Sequence, residues 1–116
     1  MSDDRLGDHL DHLRFAAREA LIFVEGLDKQ AFMADRRTQQ AVAMNLILIG
    51  EEASKLLANH REFTVAHPEI DWRAIRGMRN RIAHNYVEIS FDTVWLTLET
   101  WIPELLEQLD ALSPRP

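Results

Sequence analysis

Arg79, Asn80, Arg81, His84, Asn85 and Tyr86 fall within eight consecutive positions, interrupted only by Ile82 and Ala83. Two guanidiniums, an imidazole, two carboxamides and a phenol make a set suited to phosphate chemistry. An imidazole exchanges protons near neutral pH. A guanidinium grips phosphate through a planar fork and stabilises charge that develops during phosphoryl transfer. RNA carries its own nucleophile, the 2′-hydroxyl, so an Arg and a His can in principle cleave it without a metal and leave a cyclic phosphate. Asn80 lies four residues before His84, on the same helical face, and is placed to orient it. Tyr86 is a candidate for stacking on a base or touching phosphate.

The surrounding charge fits this chemistry. Arg73, Arg76, Arg79 and Arg81 follow one another without an intervening acid, and Arg76 and Arg81 are candidate contacts to RNA phosphate. The chain as a whole carries a net charge of −6. That balance argues against a general nucleic-acid coat protein but leaves room for a local basic site.

Helical geometry limits how these groups meet. Arg79 and His84 are five residues apart, which rotates them by roughly 140° about one helix axis. A long Arg side chain can narrow that gap, or the helix can end near His84. A second subunit can also supply a matching Arg and His across a twofold axis, and this composite cleft is the favoured arrangement. The competing interpretation is structural, because Arg and His residues also suit a helix C-terminus, where cations meet the negative end of the dipole.

The elements that must position these residues are helices. Leu6, Leu10, Leu13, Ala17, Leu21 and Val24 recur every three to four positions, with Phe15, Ile22 and Phe23 widening the stripe. This predicts a helix from about Asp4 to Glu25, capped by Ser2, Asp3 or Asp4 and ended by Gly26. His9 and His12 lie on its polar side. Their spacing of three suits a metal, but no carboxylate motif completes the site, so a solvated face is the expectation. Residues 28–33 form one turn capped by Asp28.

A second long helix starts at Asp35 or Thr38 and runs to about Asn59, burying Val42, Leu46, Ile49, Ala53, Leu56 and Leu57. Glu51 and Lys55 have the order of a favourable surface pair. Gly50 costs about 1 kcal/mol relative to Ala inside a helix, explained either by close approach of another helix or by neutral accident. Residues 61–70 are a connector, with Pro68 keeping His67 out of helical geometry. Asp71 caps the helix that carries Arg79–Tyr86, and Ile70 before it is placed to staple onto Ile75. After a short link at Val87–Ile89, Ser90 or Asp92 opens the last helix. Pro103 must kink that helix or begin a new one, and residues 113–116 form a frayed tail.

Hydrophobic residues at 47% and charged ones at 28% describe a folded chain, and 116 residues suit a single domain. The absence of cysteine excludes disulfides and thiolate chemistry. The N-terminal sequence does not read as a signal peptide, and the longest apolar run is too short to span a bilayer, so a cytoplasmic location is expected. No strand-like alternation appears. The fold class expected is all-α, an antiparallel up-and-down four-helix bundle with a short extra turn, forming a homodimer.

The order Arg79, four residues, His84, one residue, Tyr86 resembles the Arg-x4-His-x-Tyr motif of HepT-like ribonuclease toxins of the HEPN superfamily. The resemblance extends to Asn45–Leu56, Trp72, Gly77–Asn80, Val94–Trp95 and Ile102–Pro103. It implies one HepT-like domain over residues 1–116, dimeric, with the motif at the dimer cleft. It also implies a metal-independent endoribonuclease using Arg79 and His84 as its catalytic pair, with Asn80 in support and no cofactor or metal. The partner implied is an MntA-like nucleotidyltransferase antitoxin of a type VII toxin–antitoxin system. That enzyme would silence the toxin by AMPylation of Tyr86, placing negative charge where RNA phosphate must sit. The alternative is a non-catalytic helical subunit that binds nucleotide or scaffolds a nucleotidyltransferase complex.

Overall fold

Short polar side chains set where the helices begin. The structure, a computed structural model, describes residues 5–112. Within them α1 spans Leu6–Phe23, α2 Lys29–Met33, α3 Arg36–Asn59, α4 Arg61–Ala66 and α5 Trp72–Asn85. A 3-10 turn at Tyr86–Glu88 follows, then α6 at Phe91–Leu96, a π-helical segment at Thr97–Trp101 and α7 at Ile102–Leu112. All regular structure among the described residues is helical, with no strand. The expected caps at Ser2, Asp3 and Asp4, the first expected helical residue Asp4 and the tail 113–116 lie outside the described residues.

Asp28, Asp35, Asp71 and Ser90 each accept a hydrogen bond from the backbone N–H three residues on, capping α2, α3, α5 and α6. Each satisfies one of the donors that a helix start leaves open. At Asp35 the Thr38 hydroxyl and N–H both donate to the carboxylate and hold its pKa below the ordinary value. Gly26 has φ +81°, the left-handed conformation that ends the α1 segment at little steric cost.

The 24-residue helix α3 is the central element, packed by α1 along one side and α5 along another. Leu46, Ile49, Ala53 and Leu56 of α3 meet Leu13, Ala17, Ala20, Ile75 and Ile82 in one continuous core. α7 returns against α1 and contributes Ile102, Leu105 and Leu109. The close approach suggested by Gly50 is present. A Cβ built on Gly50 would lie 2.0 Å from Arg79 Cβ and 3.2 Å from the Ile75 carbonyl oxygen. Only a residue without a side chain lets α5 cross here.

Several expectations change. Residues 61–70 are not all connector: α4 occupies Arg61–Ala66, beginning directly after the break at His60. Its Thr64 is buried, and Phe63 packs between His67 and Trp72, so apolar burial sustains a helix too short for periodicity to reveal. His67, before Pro68, is held out of helical geometry at φ −125° and ψ 64°, and its carbonyl accepts from Trp72 Nε1. The link after Asn85 is a 3-10 turn. Pro103 is the second residue of α7, which begins at Ile102 as expected of a proline that starts a helix, and the chain widens into the π segment just before it. That segment accommodates the donor that proline lacks. Phe15 and Ile22 do not extend the buried stripe of α1 but are 65% and 62% exposed.

Two stability outcomes follow from the caps and the crossing. Asp71→Ala should lower unfolding stability by about 1 kcal/mol in urea titrations, the usual cost of losing an N-cap. Gly50→Ala should lower it by about 1–3 kcal/mol through overpacking, despite alanine's better helix propensity. A Gly50→Ala protein as stable as the parent would show that α3 and α5 separate easily.

Candidate active site

Arg79 sits where α5 crosses α3, and its stem covers Gly50. From there its guanidinium reaches Glu51: Nε and Nη2 both donate to Oε1. Nη1 donates to Asn80 Oδ1 at 2.9 Å. Arg79 and Glu51 are 30% and 40% exposed at their side chains, so the pair lies at the edge of the core, open to solvent. Glu51 is therefore the partner of Arg79, not of Lys55. Lys55 approaches Glu52 instead, at 3.5 Å. Spacing along α3 could not show this, because it identifies which residues share a face but not what faces them.

His84 occupies the last turn of α5 and is exposed. Among the described residues it makes no hydrogen bond or ion pair, and Asn80 is engaged with Arg79 rather than with it. A solvent-facing imidazole at this position is available to a substrate. Tyr86 opens the 3-10 turn, half-buried, with its ring edge-on to Phe91 at 6.0 Å. Phe91 leads on through Phe32 to Trp95, so aromatic packing anchors the tyrosine ring to the core. The motif thus bends away from the helix at its third member.

Arg76 and Arg81 do not share a cavity. Arg76 lines a cavity of about 320 Å³ between α4 and α5, together with Arg61 and Arg73. Arg81 borders a more apolar groove of about 410 Å³ formed by α5, α6 and the π segment, with Met78, Ser90, Thr93 and Trp101. Of these two, the first has the charge for an anion.

Away from the motif, α1 holds a second constellation. His9 is not on a solvated face: it is 3% exposed, with Nδ1 2.6 Å from Glu52 Oε2. His12 is exposed and places Nδ1 3.3 Å from Oε1 of the same carboxylate. Glu52 brings the carboxylate to this histidine pair from another helix, 40 residues beyond His12, where no local spacing signals it.

The HepT-like ribonuclease family model matches residues 13–112, which include the Arg79–Tyr86 motif, Glu51 and the whole of α3, α5 and α7. The chain belongs to the HepT-like ribonuclease family. A relative from Thermococcus cleftensis named "Probable ribonuclease HepT" is 35% identical over 108 residues, covering 90% of this chain and 94% of its own length. A protein of Caldanaerobacter subterraneus subsp. tengcongensis named as a putative RNase is 29% identical over 104 residues, 90% of either chain. A Methanocaldococcus jannaschii protein, also named as a putative RNase, is 29% identical over 90 residues, covering 78% of this chain and 75% of its own. No solved structure matches. In this HepT-like chain the motif Arg is held by an acid from α3, while the motif His is left to solvent.

This clamp couples Glu51 and Arg79 energetically. A double-mutant cycle of Glu51→Ala and Arg79→Ala should give a coupling of about 0.5–1 kcal/mol that shrinks as salt rises. Independent, additive effects would remove Glu51 from the site.

Proposed function

We propose that this HepT-like protein is a metal-independent endoribonuclease, the toxin of a type VII toxin–antitoxin pair acting in the cytoplasm. The observation that carries this reading is the family's match across the Arg79–Tyr86 motif together with the exposed, unengaged imidazole of His84. In the proposed reaction His84 takes the proton of a ribose 2′-hydroxyl. The 2′-oxygen attacks the adjacent phosphorus, and the P–O5′ bond breaks. A cyclic 2′,3′-phosphate and a 5′-hydroxyl result, the departing 5′-oxygen taking up the proton that His84 received. Arg79 stabilises the charge on the phosphoryl oxygens, and Asn80 steadies Arg79 through its carboxamide oxygen. Arg76 and Arg81 extend the contact to neighbouring phosphates.

Within this proposal the chain is one domain, an up-and-down four-helix bundle built from α1, α3, α5 and the α6–α7 unit. Two copies pair so that Arg79 of one protomer works with His84 of its partner. Five residues of helical rotation separate the two groups in a single chain, and this supports a composite site. An MntA-like nucleotidyltransferase is the proposed antitoxin, and AMPylation of Tyr86 is the silencing step. Support comes from the ring's fixed place two residues after His84, where an added phosphate would repel RNA.

The Glu51 clamp favours a second reading. A guanidinium already bound to a carboxylate suits a structural role, and the protein would then be a non-catalytic nucleotide-binding or scaffolding subunit. RNA phosphate must compete with Glu51 for the guanidinium if Arg79 is catalytic.

The variants separate the two. His84→Ala should lower RNA cleavage by about 10²–10⁴-fold with little change in melting temperature. Arg79→Ala should lower it by about 10²–10³-fold. Cleavage by the parent protein should persist in EDTA. Full cleavage by purified His84→Ala protein would transfer the activity elsewhere and leave the scaffolding reading standing. Intact mass after co-expression with the antitoxin should rise in AMP-sized steps that Tyr86→Phe abolishes; an unchanged mass with a competent antitoxin counts against the switch.

A further inference from the structure

His9, His12 and Glu52 take no part in the proposed RNA chemistry, yet they place three metal-ligating atoms within 4.8 Å of one another. Their origin explains the convergence. His9 and His12 are three apart on α1 and so share a face, and Glu52 comes from the face of α3 that packs against it. Each oxygen of the carboxylate is directed to a different imidazole, Oε2 to His9 Nδ1 and Oε1 to His12 Nδ1.

We propose that these three residues form a binding site for one borderline divalent cation, Zn²⁺, which ties α1 to α3. Two imidazoles and one carboxylate form a ligand set used by zinc sites that keep a position open for water. Two nitrogen donors disfavour Mg²⁺ and Ca²⁺, which prefer oxygen. The geometry is close to what the ion requires. With Zn–N and Zn–O near 2.0–2.1 Å, adjacent donors in a tetrahedron lie about 3.3 Å apart. His12 Nδ1 and Oε1 already have that separation at 3.3 Å; His9 Nδ1 bonds the carboxylate's other oxygen, so the three ligand atoms, within 4.8 Å of one another, must close toward one centre by side-chain rotation.

The surroundings supply the rest of a site. His9 and Glu52 are 3% and 11% exposed at their side chains, so their desolvation falls largely within the folded core. His12 is 63% exposed and gives the ion a route in from solvent. The His60 ring meets His9 edge-on at 5.8 Å and fixes the plane of that imidazole. Lys55 Nζ lies 3.5 Å from Glu52 Oε1 on a half-exposed, flexible stem. It is the group that the ion displaces.

The ion performs no step of RNA cleavage. It joins two helices, so its effect is on stability and rises with metal concentration. Glu52 is also the immediate neighbour of Glu51, the residue that holds Arg79. A cation on Glu52 therefore sits one residue along α3 from the arginine clamp, about a quarter turn away.

The test uses full-length protein without a tag, stripped with EDTA, dialysed, and titrated calorimetrically with ZnCl2. Co²⁺ serves as a second probe, read by its ligand-field absorption. One ion per chain and a rise in melting temperature with Zn²⁺ are expected. His12→Ala alters only an exposed side chain, so its fold should survive. It should weaken Zn²⁺ binding at least tenfold and suppress the thermal shift, as should Glu52→Gln, while His84→Ala should bind as the parent does. Absence of saturable one-to-one binding would overturn the proposal. So would parent-like affinity in His12→Ala, or loss of binding in His84→Ala with His12→Ala unaffected. RNA cleavage does not enter the readout, so a failure of the nuclease proposal leaves this one intact.

Discussion

The close crossing of α5 over α3 is the constraint on which the rest of the molecule depends. It exists because position 50 carries no side chain, and its immediate product is that Arg79 lies flat across the backbone of α3. A guanidinium delivered there finds Glu51 one residue along and is fixed by two of its nitrogens. The steric fact comes first and the electrostatic one follows. Had α5 stood further off, the arginine would be another mobile surface cation whose ion pair contributes little.

The same crossing settles the division of labour along α3. Gly50 and Glu51 face α5, whereas Glu52 faces α1, so consecutive residues serve different neighbours about 100° apart around the axis. A central helix with a partner on each side has few positions free of a task. This accounts for Glu51 and Glu52 lying partly buried, one beside a guanidinium and the other beside two imidazoles.

Much of the fold was legible in the sequence because helices announce their starts. Asp28, Asp35, Asp71 and Ser90 cap where their chemistry says they should, and the apolar spacing of α1, α3 and α7 marks most of the buried positions. Gly50 stood out for its cost inside a helix, and of the two explanations the sequence left open, close approach and neutral accident, the crossing of α5 selects the first. What was hidden is everything that depends on which face meets which. Glu51 reads as a partner for Lys55 until α5 is docked, and His9 reads as solvated until Glu52 arrives from another helix. α4 was hidden because six residues are fewer than two turns, too few for a period to stand out from its flanks. Phe15 and Ile22 misled for the opposite reason: apolar character gave them to the core, but their side of α1 faces outward.

The π segment at Thr97–Trp101 has a consequence beyond tolerating Pro103. Val94, Leu98 and Ile102 are spaced by four and four, and on a strict α-helix each such step over-rotates by about 40°. Two steps would carry Ile102 well off the line of Val94. A wider turn absorbs the excess, so all three residues reach the same core, and Leu105 and Leu109 continue from there. The segment therefore acts as a phase corrector between two apolar stripes that were out of step. The two halves of the last helix are thereby freed to serve different neighbours, α6 alongside α2 near the aromatic anchor of Tyr86 and α7 alongside α1.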